Sequence, residues 1–131
     1  MVTGLSPSRH RICAAYETLF ALDARYHAEP PLFYHILSLP STAGMHELAT
    51  HLARKTAPNY EALENKDKST TAYRRAEKEI KVLMAVGAVL MDPEVRATYD
   101  EEVVQGWKER KVRDVLMKDE MCGERWASRE G

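Results

Sequence analysis

The chain has 131 residues, 44% hydrophobic and 30% charged, a composition typical of one globular domain with a sizeable core. Its 19 basic and 20 acidic side chains give a formal net charge of −1. The balance is also local, since residues 1–40 carry three of each sign and residues 71–131 carry twelve basic and thirteen acidic. This argues against disorder along the chain and against the basic field on which non-specific nucleic-acid binding depends.

Helical periodicity runs through the whole chain. It predicts a first amphipathic helix over 8–27, which Pro7 opens and the Pro30–Pro31 pair ends. A short apolar segment, 32–39, follows. The apolar face of the first helix is formed by residues three and four apart: Ile12, Ala15, Tyr16, Leu19, Leu22 and Tyr26.

Two long helices are predicted next. The first begins at Gly44 and ends near Thr56, because Pro58 disfavours a helical residue before it. The polar stretch 59–71 is predicted as a loop, and the second helix covers about 71–90. The apolar side chains expected to pack between the two helices are Leu48, Leu52, Ile80, Leu83 and Leu90.

The last helix has a clear start signal. Asp92 is a good N-cap, and Pro93 suits the first helical position. The helix is predicted to run through Tyr99 and Trp107 towards Leu116, and Arg96 and Asp100, four residues apart, are expected to pair on its surface. The tail from residue 122 onwards shows no periodicity and is predicted to be frayed.

The two cysteines, Cys13 and Cys122, lie far apart in the sequence and form no Cys-x-x-Cys unit. They are therefore predicted to be reduced, partly buried thiols in an intracellular protein, cytoplasmic or nuclear. The first sixteen residues contain Arg9 and Arg11 but no acid, which is compatible with a mitochondrial presequence as an alternative. No apolar run reaches the roughly 18 residues needed to span a membrane.

The sequence suggests no catalytic or metal-ligating set. His46 and His51 are five residues apart, whereas a helical zinc site uses positions i and i+4. No phosphate-binding loop, nucleophile elbow or zinc-protease motif occurs. We therefore predict no enzyme, no cofactor and no metal.

A mildly basic stripe runs from the polar stretch into the second long helix. A solvated helix face explains such a stripe, with a docking surface as the alternative and nucleic-acid binding as a weaker one. Its residues are Lys66, Lys68, Arg74, Arg75, Lys78 and Lys81.

Three segments occur in the order of a known helical module: Tyr34 to Leu39 (YHILSL), Ala43 to Leu48 (AGMHEL) and Val89 to Asp100 (VLMDPEVRATYD). They resemble the J-domain, the module through which co-chaperones act on the heat-shock-70 ATPases. That family opens with Tyr-x-x-Leu-Gly-Leu/Val, where this chain has Ser38 in place of glycine, and closes with Val-Leu-x-Asp-Pro-x-x-Arg-x-x-Tyr-Asp. The resemblance covers about residues 32–104 and implies an antiparallel helical hairpin with short flanking helices.

The chain departs from this family at its functional tripeptide. J-domains carry His-Pro-Asp between their second and third helices, and that motif is needed to stimulate the chaperone ATPase. Here Ala57-Pro58-Asn59 keeps only the proline, and an ungapped alignment places residues 60–62 there instead. The second helix also has only Arg54 and Lys55, fewer basic residues than is usual in the family's chaperone-facing helix.

The sequence thus predicts an all-α, J-domain-like fold with an N-terminal helical extension (1–31), a J-like domain (32–104) and a C-terminal helical extension with a frayed tail (105–131). The N-terminal helix either folds onto the J-like core or presents its apolar face to a partner. Partner-binding residues are predicted at the end of the hairpin: Arg54, Lys55, Ala57, Pro58, Asn59, Tyr60, Arg74, Arg75 and Lys78.

The predicted function is a non-catalytic protein-interaction module, acting as an adaptor, scaffold or regulatory subunit. Expected partners are another J-protein, a heat-shock-70 chaperone bound without activation, or an unrelated protein complex. A divergent co-chaperone is the alternative, and a nucleic-acid-binding helical protein is a weaker one. No membrane partner is predicted, and the sequence does not indicate an oligomeric state.

Overall fold

A computed structural model describes residues 6–64, 67–123 and 125–126, with the backbone alone for Asp119. Within these residues every regular element is helical and no strand occurs, which confirms the predicted all-α fold. None of the described helices is both long and apolar enough to cross a membrane. The elements are α1 (Pro7–Leu22), α2 (Ala24–Ala28), α3 (Phe33–Leu37), α4 (Met45–Leu63), α5 (Thr71–Leu90), α6 (Pro93–Tyr99), α7 (Gln105–Trp107), α8 (Val112–Leu116) and two π-helical turns, Asp100–Val104 and Asp119–Gly123.

Capping side chains set the starts of the central helices. The Asp92 carboxylate accepts the backbone N–H groups of Glu94 (3.0 Å) and Val95 (3.3 Å), and Pro93 occupies the first helical position. This confirms the predicted start of α6. At the start of α5, the Thr70 hydroxyl accepts the Tyr73 N–H. α5 therefore covers the predicted range of 71–90.

The first predicted helix is interrupted at Asp23. The backbone there is extended, α1 ends at Leu22, and the Asp23 carboxylate accepts the Arg25 N–H at 2.9 Å to start α2. The prediction of one helix over 8–27 is therefore wrong at this point. An aspartate competes with helix continuation because its side chain can cap the turn that follows it.

α4 runs straight through Pro58 and ends at Leu63, so the predicted end near Thr56 is wrong. Side-chain donors support the backbone on both sides of the proline. The Thr56 hydroxyl donates to the Leu52 carbonyl at 2.9 Å, and the Asn59 amide donates to the Lys55 carbonyl at 2.8 Å. These bonds go to the Leu52 and Lys55 carbonyls, whereas the helical N–H that Pro58 lacks would have bound the Arg54 carbonyl.

The connection between the two long helices is consequently short. The predicted loop over 59–71 is reduced to 64–70, because its first five residues belong to α4. In this turn the Asp67 carboxylate accepts the Ser69 N–H at 3.0 Å and the Ser69 hydroxyl at 2.5 Å. Both bonds lower the pKa of Asp67, and the bond from the Ser69 hydroxyl has the larger effect.

A single hydrophobic core includes all three predicted parts of the chain. α1 packs against α5 and α6, so the N-terminal helix folds onto the rest of the molecule, which was the first of its two predicted alternatives. Leu52 of α4 lies against Gly87 of α5. The largest fully buried side chains are Tyr16, Tyr34, Tyr99, Phe33, Ile12, Leu19, Leu37, Leu48, Leu83, Leu90, Leu116 and Val86.

The last predicted helix is interrupted after Trp107. From α6 the helix continues through a π turn, in which the Gln105 N–H bonds the Asp100 carbonyl five residues earlier, and then into α7. Residues 108–111 interrupt it before α8, so the predicted continuous helix to Leu116 is wrong there.

The two cysteines form a disulfide bond. Cys13 and Cys122 are both fully buried, and their sulfur atoms are 2.04 Å apart. The prediction of two reduced, partly buried thiols is therefore wrong, because sequence distance does not reveal that the fold places the two residues side by side. The predicted fraying does not begin at Cys122; residues 124 and 127–131 lie outside the described residues, as do residues 1–5.

Candidate interaction surface

The closing segment of the J-domain resemblance, Val89 to Asp100, holds helices together in the structure. Val89, Leu90, Val95 and Tyr99 lie in the core. Asp92 caps α6 and Arg96 binds other segments, whereas Pro93, Glu94 and Ala97 are exposed. Most of the motif positions therefore build the scaffold.

Arg96 joins α6 to the segment that precedes α4. Its guanidinium donates to the carbonyl oxygens of Ser41 (3.1 Å) and Ala43, and to the Tyr34 hydroxyl (2.9 Å). The Tyr34 hydroxyl in turn donates to Asp100 at 2.6 Å, and Asp100 lies 3.8 Å from Arg96 Nε, which confirms the predicted pair. Burial, followed by the bond to Asp100, raises the pKa of Tyr34 to about 12.

The histidines and carboxylates do not gather into a metal site anywhere in the described part of the chain. His46 is exposed and His51 is half-buried on α4. Acidic residues near the surface are used in ion pairs within the molecule, such as Glu102 with Arg9 and Asp92 with Arg11.

Four of the predicted partner-binding residues lie on the exposed side of α4. Arg54, Ala57 and Pro58 are exposed and, at spacings of three and four, share one face of the helix. Tyr60 is 53% exposed, unusually high for a large apolar side chain in this molecule. All four residues lie on one helix, whereas Ala57, Pro58 and Tyr60 were predicted to follow the end of the helix.

The other two predicted residues of α4, Lys55 and Asn59, belong to a different side of the helix. Both are half-buried, and they follow Leu52 at spacings typical of one helical face. Since Leu52 contacts α5, this side lies towards the hairpin partner. Lys55 and Asn59 therefore support the hairpin more than they face solvent.

The three predicted residues of α5 do not form one patch. Arg74 and Arg75 are exposed, but consecutive helical residues point about 100° apart. Lys78 is bound within the molecule, since its ammonium donates to the Asp23 carboxylate at 2.5 Å. Hydrogen bonds from the Arg25 guanidinium and the Lys78 ammonium hold the pKa of Asp23 below its ordinary value, and the bond from Arg25 has the larger effect. Lys66, part of the predicted basic stripe, lies outside the described residues.

α4 also exposes two alanines, Ala49 and Ala53, that were not among the predicted partner-binding residues. Ala49, Ala53 and Ala57 are exposed at four-residue intervals, and Tyr60 follows them. Of the nineteen residues of α4, Leu48 is buried and the rest are partly or fully accessible. We call the exposed residues Ala49, Ala53, Ala57 and Tyr60 the α4 strip.

The segments that align with the His-Pro-Asp tripeptide, residues 57–59 and 60–62, both lie inside α4. Both segments are therefore helical. The residues between the two long helices, 64–70 in the sequence, contain neither histidine nor proline.

Comparison with protein-family models, with curated proteins and with solved structures finds no match to this chain.

Proposed function

We propose that this chain is a non-catalytic protein-interaction module with a J-domain-like arrangement, and that it binds a protein partner through the α4 strip. The observation that supports the proposal is the exposure of Ala49, Ala53, Ala57 and Tyr60 on one long helix of an otherwise well-packed domain. Tyrosine is enriched at protein interfaces and is a typical anchor residue there. The small alanines on the same face leave room for a partner to pack against the Tyr60 ring.

The charges beside the strip favour a partner of mixed polarity. Arg54 and Glu61 are both exposed on α4, next to the alanines. Within the described residues no carboxylate lies within salt-bridge distance of Arg54. A complementary acidic side chain on the partner would set the register, while the alanines and Tyr60 supply the apolar contact.

A pull-down from the protein's own source tests this proposal. The tagged chain is compared with Ala57→Arg and with the matched control Ala97→Arg, which places the same side chain at an exposed alanine of α6. We expect a stoichiometric partner to bind the wild type and the control but not Ala57→Arg. Equal recovery with all three baits would overturn the assignment of the surface, and recovery of no partner by the wild type would overturn the function.

A divergent co-chaperone is the second candidate, supported by the J-domain resemblance of residues 32–104. The absence of His-Pro-Asp in α4 and in the turn after it favours the interaction module instead. We expect no increase in ATP turnover when the protein is added at saturation to a heat-shock-70 chaperone from the same source. Stimulation, or elution of such a chaperone by ATP in the pull-down, would favour the co-chaperone.

A nucleic-acid function is the weaker alternative, through the exposed Arg74 and Arg75 and the basic residues around them. It predicts an affinity for RNA or DNA that falls steeply as salt rises. We expect no measurable binding even at low salt, because Lys78 is engaged by Asp23 and Lys81 lies 3.9 Å from Glu77.

A further inference from the structure

We infer that the Cys13–Cys122 pair is a site of thiol oxidation, that a disulfide-bearing oxidant converts it during folding, and that the protein therefore matures in an oxidising compartment. The bond locks the C-terminal segment, whose described residues are 112–123 and 125–126, onto α1. This inference is independent of the proposed function and replaces the sequence-based expectation of a reducing compartment.

The locked segment follows α1 over several turns. Arg125 lies between two residues of that helix, 2.8 Å from the Glu17 carboxylate and 2.6 Å from His10 Nδ1. Trp126 meets the Phe20 ring edge-on, with 5.5 Å between ring centroids. The disulfide lies between these contacts, so it fastens the segment near the middle of α1.

The sulfur atoms are sealed from solvent. Cys13 and Cys122 are 0% exposed, and Met121, the neighbour of Cys122 in the chain, is buried as well. A thiolate must be accessible to react with a disulfide, so an oxidant cannot reach either cysteine in the folded chain. The bond must therefore form before the C-terminal segment has docked fully, and it is protected once docking is complete.

The reaction balances by thiol–disulfide exchange. One cysteine thiolate attacks the oxidant's disulfide and releases one of its thiols as a mixed disulfide forms. The second cysteine thiolate then attacks the protein sulfur of that intermediate and releases the other thiol. The pair loses two electrons and two protons, and the oxidant, an oxidised dithiol oxidoreductase or glutathione disulfide, is reduced to two thiols.

The compartment follows from the chemistry. Cytosolic glutathione and thioredoxin keep accessible thiols reduced while a chain folds, whereas an oxidising compartment allows the exchange to proceed. The bond joins α1 to the π turn Asp119–Gly123 and closes a loop with a sequence separation of 109 residues. A disulfide restrains the unfolded chain most when the loop that it closes is long.

Alkylation of the protein from its own source tests the inference. Cells are quenched in acid to trap the thiols, and the protein is denatured and treated with a mass-tagged maleimide before and after reduction. We expect no label before reduction and two labels after it. A chain that takes two labels without reduction would overturn the inference. The Cys122→Ser variant is the control, since its single remaining thiol must take one label without reduction.

A second measurement tests the lock without requiring a variant to fold. The purified wild-type protein is exposed to a soluble reductant, with and without denaturant, and the appearance of thiols is followed over time. We expect reduction of the native chain to be slower by about tenfold or more, because the bond opens only with the segment that covers it. Equal rates would show that the bond is exposed and that the segment is not locked.

Discussion

The hydroxyl oxygens of Tyr16 and Tyr99 lie 2.7 Å apart in the centre of the core. The Tyr16 hydroxyl donates to the Pro31 carbonyl at 2.8 Å, and the Phe33 N–H donates to the Tyr99 hydroxyl at 2.8 Å. Since each hydroxyl has one proton, Tyr99 must donate to Tyr16. The result is a chain of hydrogen bonds that ties the extended segment before α3 to both α1 and α6.

The first prediction concerns this chain of hydrogen bonds. Tyr99→Phe leaves the buried Phe33 N–H without its acceptor, so we expect the free energy of unfolding to fall by about 1–3 kcal/mol in urea denaturation. Tyr60→Phe is the control; that tyrosine is 53% exposed, and its replacement should change the free energy by less than about 0.5 kcal/mol. Equal losses of stability in the two variants would contradict the role of the Tyr99 hydroxyl as the acceptor of the Phe33 N–H.

The second prediction is a loss of stability at alkaline pH. Burial raises the pKa of Tyr16 and Tyr99 well above the ordinary value of 10.0 and that of Tyr34 to about 12. The unfolded chain then releases these protons first as the pH rises. The free energy of unfolding is therefore unaffected by the ionisation of these tyrosines below pH 10. Above pH 10 it falls by up to about 1.4 kcal/mol per pH unit for each tyrosine.

The alkaline effect is measured by urea denaturation at a series of pH values. The Tyr99→Phe variant removes one of the three raised groups, so its free energy of unfolding should fall less steeply above pH 10 than that of the wild type. Parallel curves for the two proteins would show that Tyr99 does not contribute. Both proteins should have flat curves between neutral pH and the start of tyrosine ionisation.

The central part of the fold could be predicted because its signals are local. The Asp92–Pro93 cap, the periodicity over 71–90 and the Arg96–Asp100 spacing each depend on residues within one or two turns of one another. The confirmed elements are therefore those in which helix propensity, capping and burial agree. The all-α class followed from the same agreement.

The remaining features depend on contacts that a local pattern does not contain. The disulfide joins residues that only the fold brings together, and α4 continues through Pro58 although a proline locally disfavours a helix. Ala57 and Tyr60 of the α4 strip were predicted as partner-binding residues, but Ala49 and Ala53 were not, because alanine is compatible with either a buried or an exposed face. Ala49 and Ala53 continue the apolar pattern of α4, but the helix lies at the edge of the core and leaves them in solvent.

The third prediction tests whether Arg96 acts through the shape of its guanidinium. Arg96→Lys keeps the charge but cannot bind the carbonyls of Ser41 and Ala43 and the Tyr34 hydroxyl at the same time. We expect a loss of about 1–3 kcal/mol and faster amide hydrogen exchange in residues 41–44. The exposed Arg113 of α8 is the control, and Arg113→Lys should change neither quantity.

The fourth prediction concerns the proline inside α4. Pro58→Ala restores an N–H that can donate to the Arg54 carbonyl, so we expect the free energy of unfolding to rise by about 1–3 kcal/mol. Pro93→Ala is the control, because a proline at the first helical position loses no hydrogen bond. An unchanged or reduced stability of Pro58→Ala in urea denaturation would mean that α4 ends before the proline.

The fifth prediction tests the close packing that positions Cys122 beside α1. The Gly123 N–H donates to the Lys118 carbonyl at 2.8 Å, and a Cβ atom at Gly123 would lie 2.1 Å from the Met117 carbonyl oxygen and 2.8 Å from its carbon. Backbone atoms cannot yield as a flexible side chain can, so Gly123→Ala must displace the turn that carries Cys122.

We therefore expect Gly123→Ala to lower the free energy of unfolding by about 1–3 kcal/mol with the disulfide intact, and to speed reduction of the bond in the native protein. Gly44→Ala is the matched control, because no atom lies within 4 Å of a Cβ built there, and it should cost about 0.5 kcal/mol or less. If both variants lost the same stability and were reduced at the same rate, the turn would not be tightly packed against the backbone. The C-terminal segment would then be held by the sulfur–sulfur bond alone.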